Sequence, residues 1–208
     1  MTTRVIVNIR GANASGKTTL MRRVIGSAPY VDLGQFPDAQ GKMGFVQGHQ
    51  FSLEGFELPF LVIGRYDASK YSGCDKIKSA DQIEGVLRWA IDGGFAGHVL
   101  FEGFRVSKSW ARFAAVRNWC VSNHHASWVW AFLRAEPELI FERSAARREA
   151  DARPIDKEEL AAVCRVMAST WRKAKVAMPR DCLDLDASQP TEVLYAQLLG
   201  RIKMLESA

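Results

Sequence analysis

Apolar runs alternate along the chain with stretches whose apolar residues recur every three or four positions, a pattern of strands interleaved with amphipathic helices. Residues 4–9 predict a buried strand, and residues 19–25 can continue as a helix. The segment 29–55 is rich in Gly, Gln and Phe and has no helical period; within it, residues 30–33 and 43–46 predict short strands able to pair as a hairpin. Here His49 reads as a loop residue. Residues 57–63 predict a second buried strand, with Pro59 near its start, where a missing N–H is tolerated. Ser79-Ala-Asp-Gln82 has capping-box spacing and opens a helix with Ile83, Val86, Leu87, Ala90 and Ile91 on one face, stopped at Gly93-Gly94.

The alternation continues with a strand at 98–101, a helix at about 107–123 carrying Trp110, Phe113, Val116 and Cys120, and a strand at 127–133. Trp128 and Trp130 lie two apart on that strand, share a face and read as core, while His124-His125 reads as a helix end. Pro137 sits where a helix can begin, and Asp156-Lys-Glu-Glu159 opens another that buries Leu160, Val163, Cys164, Met167 and Trp171. A short strand at 181–185 and a helix at 190–205 close the series. Strands alternating with helices imply an α/β fold of three layers, a parallel sheet covered on both faces.

Composition narrows this picture. With 208 residues and 48% hydrophobic content, the chain can fill one core, so residues 1–208 are expected to form a single domain. No apolar stretch approaches 18 residues, and the chain starts on a strand rather than on a basic, apolar leader, so a soluble, cytoplasmic protein without a membrane partner is expected. Four widely spaced cysteines without a C-x-x-C pair suggest neither a zinc site nor a disulfide framework. The net charge of +5 favours polyanionic partners.

The chemistry begins at Gly11-Ala-Asn-Ala-Ser-Gly-Lys-Thr18, which fits G-x-x-x-x-G-K-[ST] between a strand and a helix. In that setting the backbone N–H groups of Gly11, Asn13, Ala14, Ser15, Gly16, Lys17, Thr18 and Thr19 can converge on the phosphates of ATP. Lys17 then reaches the β/γ-phosphates and Thr18 ligates Mg²⁺. Glu102 follows a buried apolar strand, the position of a carboxylate that holds the magnesium shell or acts as base. The loop 64–76 presents Arg65, Asp67 and Asp75 beyond another buried strand, where a kinase needs a carboxylate to take the proton of the acceptor hydroxyl. Asp75 and Asp67 are the candidates; the alternative is that both are turn residues. Arg143, Arg147, Arg148 and Arg153 fall in a helical, Arg-rich lid at about 142–157, suited to charge that develops on a transferring phosphoryl group. A guanine-reading Asn-Lys-x-Asp is absent, which argues against a GTPase switch.

The run Asn8-Ile-Arg-Gly-Ala-Asn-Ala-Ser-Gly-Lys-Thr-Thr-Leu-Met-Arg22, Gly64-Arg-Tyr-Asp67, Ser72-Gly-Cys-Asp-Lys-Ile77, Phe101-Glu-Gly103 and the arginine-rich segment together resemble the P-loop kinases of bacteriophages, and among them the 5-hydroxymethyluridine DNA kinases. The resemblance spans residues 4–175; the stretch before Gly73 departs from the family pattern in reading Lys-Tyr-Ser, and the Gly/Gln-rich segment is unusually long. It implies a nucleotide-kinase-like fold with five parallel core strands in the order 2-3-1-4-5, use of ATP and Mg²⁺, and phosphorylation of the hydroxymethyl group of 5-hydroxymethyluracil in phage DNA during thymidine hypermodification, within the host cytoplasm. Two other functions fit the residues: a kinase of free nucleosides or nucleotides, and a P-loop NTPase or binding module with no phosphoryl acceptor.

Overall fold

Strand β1 (Val5–Arg10) is buried along its whole length because helices cover both faces of the sheet it centres. Its side chains alternate between two cores. Val5, Val7 and Ile9 pack with Leu20, Met21 and Val24 of α1 (Lys17–Gly26) and with Leu194, Leu198 and Ile202 of α7 (Thr191–Glu206). Ile6 faces the opposite core, with Val86 and Leu87 of α2 (Ala80–Trp89), Phe113 and Val116 of α4 (Trp110–His124), and Trp128 and Trp130. Each such apolar side chain contributes about 1.5–3 kcal/mol on burial, so the double-sided pattern is what holds the layers together.

The computed structural model describes residues 2–37, 46–66, 73–149 and 156–208, with the backbone alone for Val46, Arg148 and Glu149. The remaining elements are β2 (Asp32–Phe36), β3 (Val46–Phe51), β4 (Phe60–Ile63), β5 (His98–Glu102), α3 (Phe104–Lys108), β6 (Ser127–Arg134), α5 (Pro137–Glu149), α6 (Lys157–Ala177) and β7 (Cys182–Asp186). They form one sheet in the order β2-β3-β4-β5-β1-β6-β7. From β4 to β7 all neighbours are parallel, and these five strands, numbered among themselves along the chain, stand in the expected order 2-3-1-4-5.

Four expectations need correction. The sheet has seven strands and is mixed, because β2 and β3 pair antiparallel and β3 joins β4 antiparallel. The hairpin is therefore real but shifted, with its first strand at Asp32–Phe36 and its second starting at Val46; residues 43–45 lie outside the described residues. His49 is consequently a strand residue, paired in register with Val62, and its Nε2 accepts the backbone N–H of Tyr66 at 3.2 Å. The helix expected at 107–123 is two helices, α3 and α4, broken at Ser109, where φ −92° and ψ 58° are not helical.

The local signals otherwise act as their chemistry requires. The Ser79 hydroxyl caps α2 by accepting from the Gln82 N–H at 3.2 Å, and Asp156 caps α6 by accepting from the Glu159 N–H at 2.9 Å. Among the described residues no helix is long and apolar enough to cross a membrane.

Candidate active site

β1 ends at Arg10 and α1 begins at Lys17, so the intervening loop must reverse the chain within six residues. It does so with Ala14 at φ 62° and Gly16 at φ 97°, left-handed conformations that glycine adopts freely and alanine only under strain. Such a turn directs successive N–H groups to one concavity at the start of α1, an arrangement that attracts anions. Lys17 curls back over the loop and donates to the carbonyl oxygens of Gly11 at 3.0 Å and Ala12 at 2.9 Å. Burial lowers its pKa, an effect opposed by the carboxylates of Glu102 and Asp75 and reinforced by Arg147 and Arg10.

Glu102 closes β5 beside this loop, in register with Ile9. The Thr18 hydroxyl donates to Glu102 Oε1 at 3.1 Å. Only 1% of Glu102 is exposed, and burial raises its pKa; Lys17 opposes that shift and Asp75 adds to it. A carboxylate held this way binds a proton or a cation more readily than one in water.

Gly73 and the turn Cys74–Lys76 lie against the same spot. The Gly73 N–H donates to the Arg65 carbonyl at 2.7 Å and brings Gly73 against the Glu102 carboxylate and the Tyr66 hydroxyl. A Cβ at position 73 would collide with Glu102 Oε1 and stand 2.8 Å from the Tyr66 oxygen, and φ 66° with ψ −149° further excludes other residues. Tyr66 is buried, and burial, followed by the Glu102 charge, pushes its pKa well above 10. The phenol thus stays protonated beside the carboxylate.

Asp75 lies in the short turn Cys74–Lys76 and has a structural duty: its Oδ1 accepts the Phe104 N–H at 2.8 Å and the Arg105 N–H at 3.4 Å. It caps α3 from another segment of the chain. Arg105 answers by donating to the carbonyls of Ile77, at 2.8 Å, and Lys78.

The structure therefore brings together Lys17, Thr18, Glu102 and Asp75, and places Arg65 by its backbone against Gly73. Arg143 and Arg147 lie on α5, and Arg147 is close enough to disfavour charge on Lys17. Asp67 and Arg153 lie outside the described residues. Two participants escaped the sequence reading. Tyr66 stands beside Glu102, with both against Gly73, which carries no Cβ to displace them. Arg10 is fully buried, stacked over Trp110 and Trp130 at 5.3 and 5.5 Å, with its pKa lowered to about 9 by burial. An arginine ending a strand carries no signal that it turns inward; only its alternation with Ile6 and Asn8 hints at it.

No family model matches the chain. A 5-hmdU DNA kinase of Pseudomonas phage PaMx11 is 34% identical over 103 residues, 49% of this chain and 50% of that protein. The chain thus spans about half the length of the curated relative it matches. Among solved structures, deoxyadenosine kinase from M. mycoides with bound dCTP aligns at TM-score 0.49 and 9% identity, covering 96% of this chain and 99% of that one. A sugar kinase from Janibacter sp. aligns at TM-score 0.45 and 17% identity over 99% and 97% of the two chains. Neither structural likeness bears on what this chain binds.

Proposed function

We propose that the chain is a kinase that moves the γ-phosphoryl group of ATP to an alcohol, and that this alcohol is the hydroxymethyl group of 5-hydroxymethyluracil in DNA. The observation that carries the reading is the pairing of Thr18 with a buried, proton-avid Glu102 at the mouth of an amide-lined loop. Magnesium takes hard oxygen donors, retains several waters and usually sits on one or two protein groups plus substrate phosphates. A hydroxyl and a carboxylate 3.1 Å apart fit that demand. When bound, the ion neutralises charge on the β- and γ-phosphates.

The chain's own groups would act around it. Lys17 exchanges the Gly11 and Ala12 carbonyls for phosphate oxygens, and Arg143 and Arg147 spread charge from the equatorial oxygens. As the acceptor oxygen bonds to the γ-phosphorus, the bond to the β–γ bridging oxygen breaks and ADP leaves. The acceptor proton passes to Asp75, whose Oδ1 is anchored by α3 and whose second oxygen supplies the lone pair. Arg153 of the lid, Arg65 and Asp67 are assigned to closure over the phosphates and to the acceptor loop.

The likeness to the phage 5-hmdU DNA kinase supports the acceptor, and the +5 charge suits a polyanion. Incubation with γ-labelled ATP and magnesium tests it. Label should enter DNA containing 5-hydroxymethyluracil and not unmodified DNA. Label entering only free hydroxymethylated nucleotides would move the acceptor to the monomer, and release of labelled phosphate without transfer would leave an NTPase.

A further inference from the structure

At the far end of the sheet, where β6 and β7 begin, lies a cavity of about 580 Å³ between α4, α7 and the turn Pro179–Asp181. The phosphate loop follows the opposite, carboxyl end of β1, so the two sites are separated by the length of the parallel strands. The cavity walls are apolar side chains, with Val121, Trp128, Leu183 and Leu205 among them, and three arginines stand around them: Arg117, Arg180 and Arg201.

The charges do not balance. Asp181 is the one carboxylate lining the cavity, and it is taken by Arg117, whose Nε and Nη2 reach its Oδ2 at 2.7 and 2.5 Å. No carboxylate pairs with Arg180 or Arg201 among the described residues. Arg201 is held in place by donating from Nη2 to the Arg180 carbonyl, and its Nε is buried without a partner. The Trp128 indole N–H, on a side chain 2% exposed, is likewise buried without one. An occupant that supplies an anionic acceptor to Arg180 and Arg201 and an apolar body to Val121, Trp128, Leu183 and Leu205 would balance this charge and fill a space in the usual size range of small-molecule sites.

We propose that this cavity binds a small aromatic or heteroaromatic anion, independently of the phosphate loop. The test uses 1-anilinonaphthalene-8-sulfonate as the anionic probe and N-phenyl-1-naphthylamine as its uncharged counterpart, followed by fluorescence on the full chain. The sulfonate should bind with one-to-one stoichiometry and stay bound when ATP and magnesium are added. Arg180→Glu, at an exposed position that leaves the core untouched, should weaken it about tenfold or more while barely affecting the neutral probe. Arg201→Gln should act in the same direction. Displacement by ATP, absence of binding, or affinity unchanged in both variants overturns the proposal, and none of these outcomes depends on whether phosphoryl transfer occurs.

Discussion

Strand β5 meets a buried glutamate at each end, and the two differ in almost everything except burial. At its start, His98 faces Glu206, which is saturated: Oε1 accepts from His98 Nε2, Glu57 N and Leu58 N, each at 3.0 Å, and Oε2 from Lys203 at 2.8 Å. Burial opposes its charge, yet these donors together hold its pKa at about 2. The Val5 N–H donates to His98 Nδ1, which leaves the ring proton on Nε2 for Glu206, and burial keeps the imidazole neutral. At the other end Glu102 has the Thr18 hydroxyl and the neighbourhood of Lys17 and Tyr66, and its pKa is raised. A fully bonded acid holds structure, whereas an under-bonded one retains capacity for a cation or a proton.

Exchanging each acid for its amide should separate the two roles. Glu102→Gln is expected to lower transfer at least about thousandfold without lowering the thermal midpoint, because it removes a charge the fold holds at a cost. A variant that loses activity by unfolding early would erase the distinction. Asp75→Asn keeps an oxygen for the Phe104 and Arg105 N–H groups and should cost about a hundredfold in kcat with the fold retained; unimpaired kcat would move the base to another carboxylate.

Glu206→Gln should leave transfer per folded molecule unchanged and cost about 2 kcal/mol in denaturant unfolding. The pH dependence follows from the sign of the shift. Glu206 has a folded pKa of about 2 against an ordinary 4.5, so its contribution is complete above pH 4.5 and is lost as pH falls toward 2. The wild-type advantage over Glu206→Gln should shrink across that window, and a gap constant with pH would contradict the network. The smallest effect is expected from Arg23→Ala, which removes a 2.7 Å pair with the two-thirds-exposed Glu192 and should leave the denaturant midpoint almost unchanged.

How much of this was readable in advance depended on distance along the chain. The tight turn between β1 and α1, the caps at Ser79 and Asp156 and the inward stripe of α2 rest on residues within a few positions of one another, and patterning captures them. The parallel strands were visible as apolar runs, but their order came from the resemblance, since apolar content does not rank neighbours. Glu102 closes a strand where the apolar run ends, and a strand end is a local signal. The partnership of His98 with Glu206 spans 108 positions and has no local trace, and the helical period of Val106, Trp110 and Phe113 runs across Ser109 and masks the start of α4 there. His49 was misplaced because Gly48 and the flanking glutamines weaken the alternation that marks a strand.

The reciprocal grip between Asp75 and the start of α3, with Arg105 reaching back to Ile77 and Lys78, ties the turn Cys74–Lys76 to the segment after Glu102. Anyone grafting a relative's turn onto this scaffold would have to transplant positions 73–78 and 103–105 as a matched pair. A turn moved alone would arrive without its anchor, and its carboxylate would no longer be aimed.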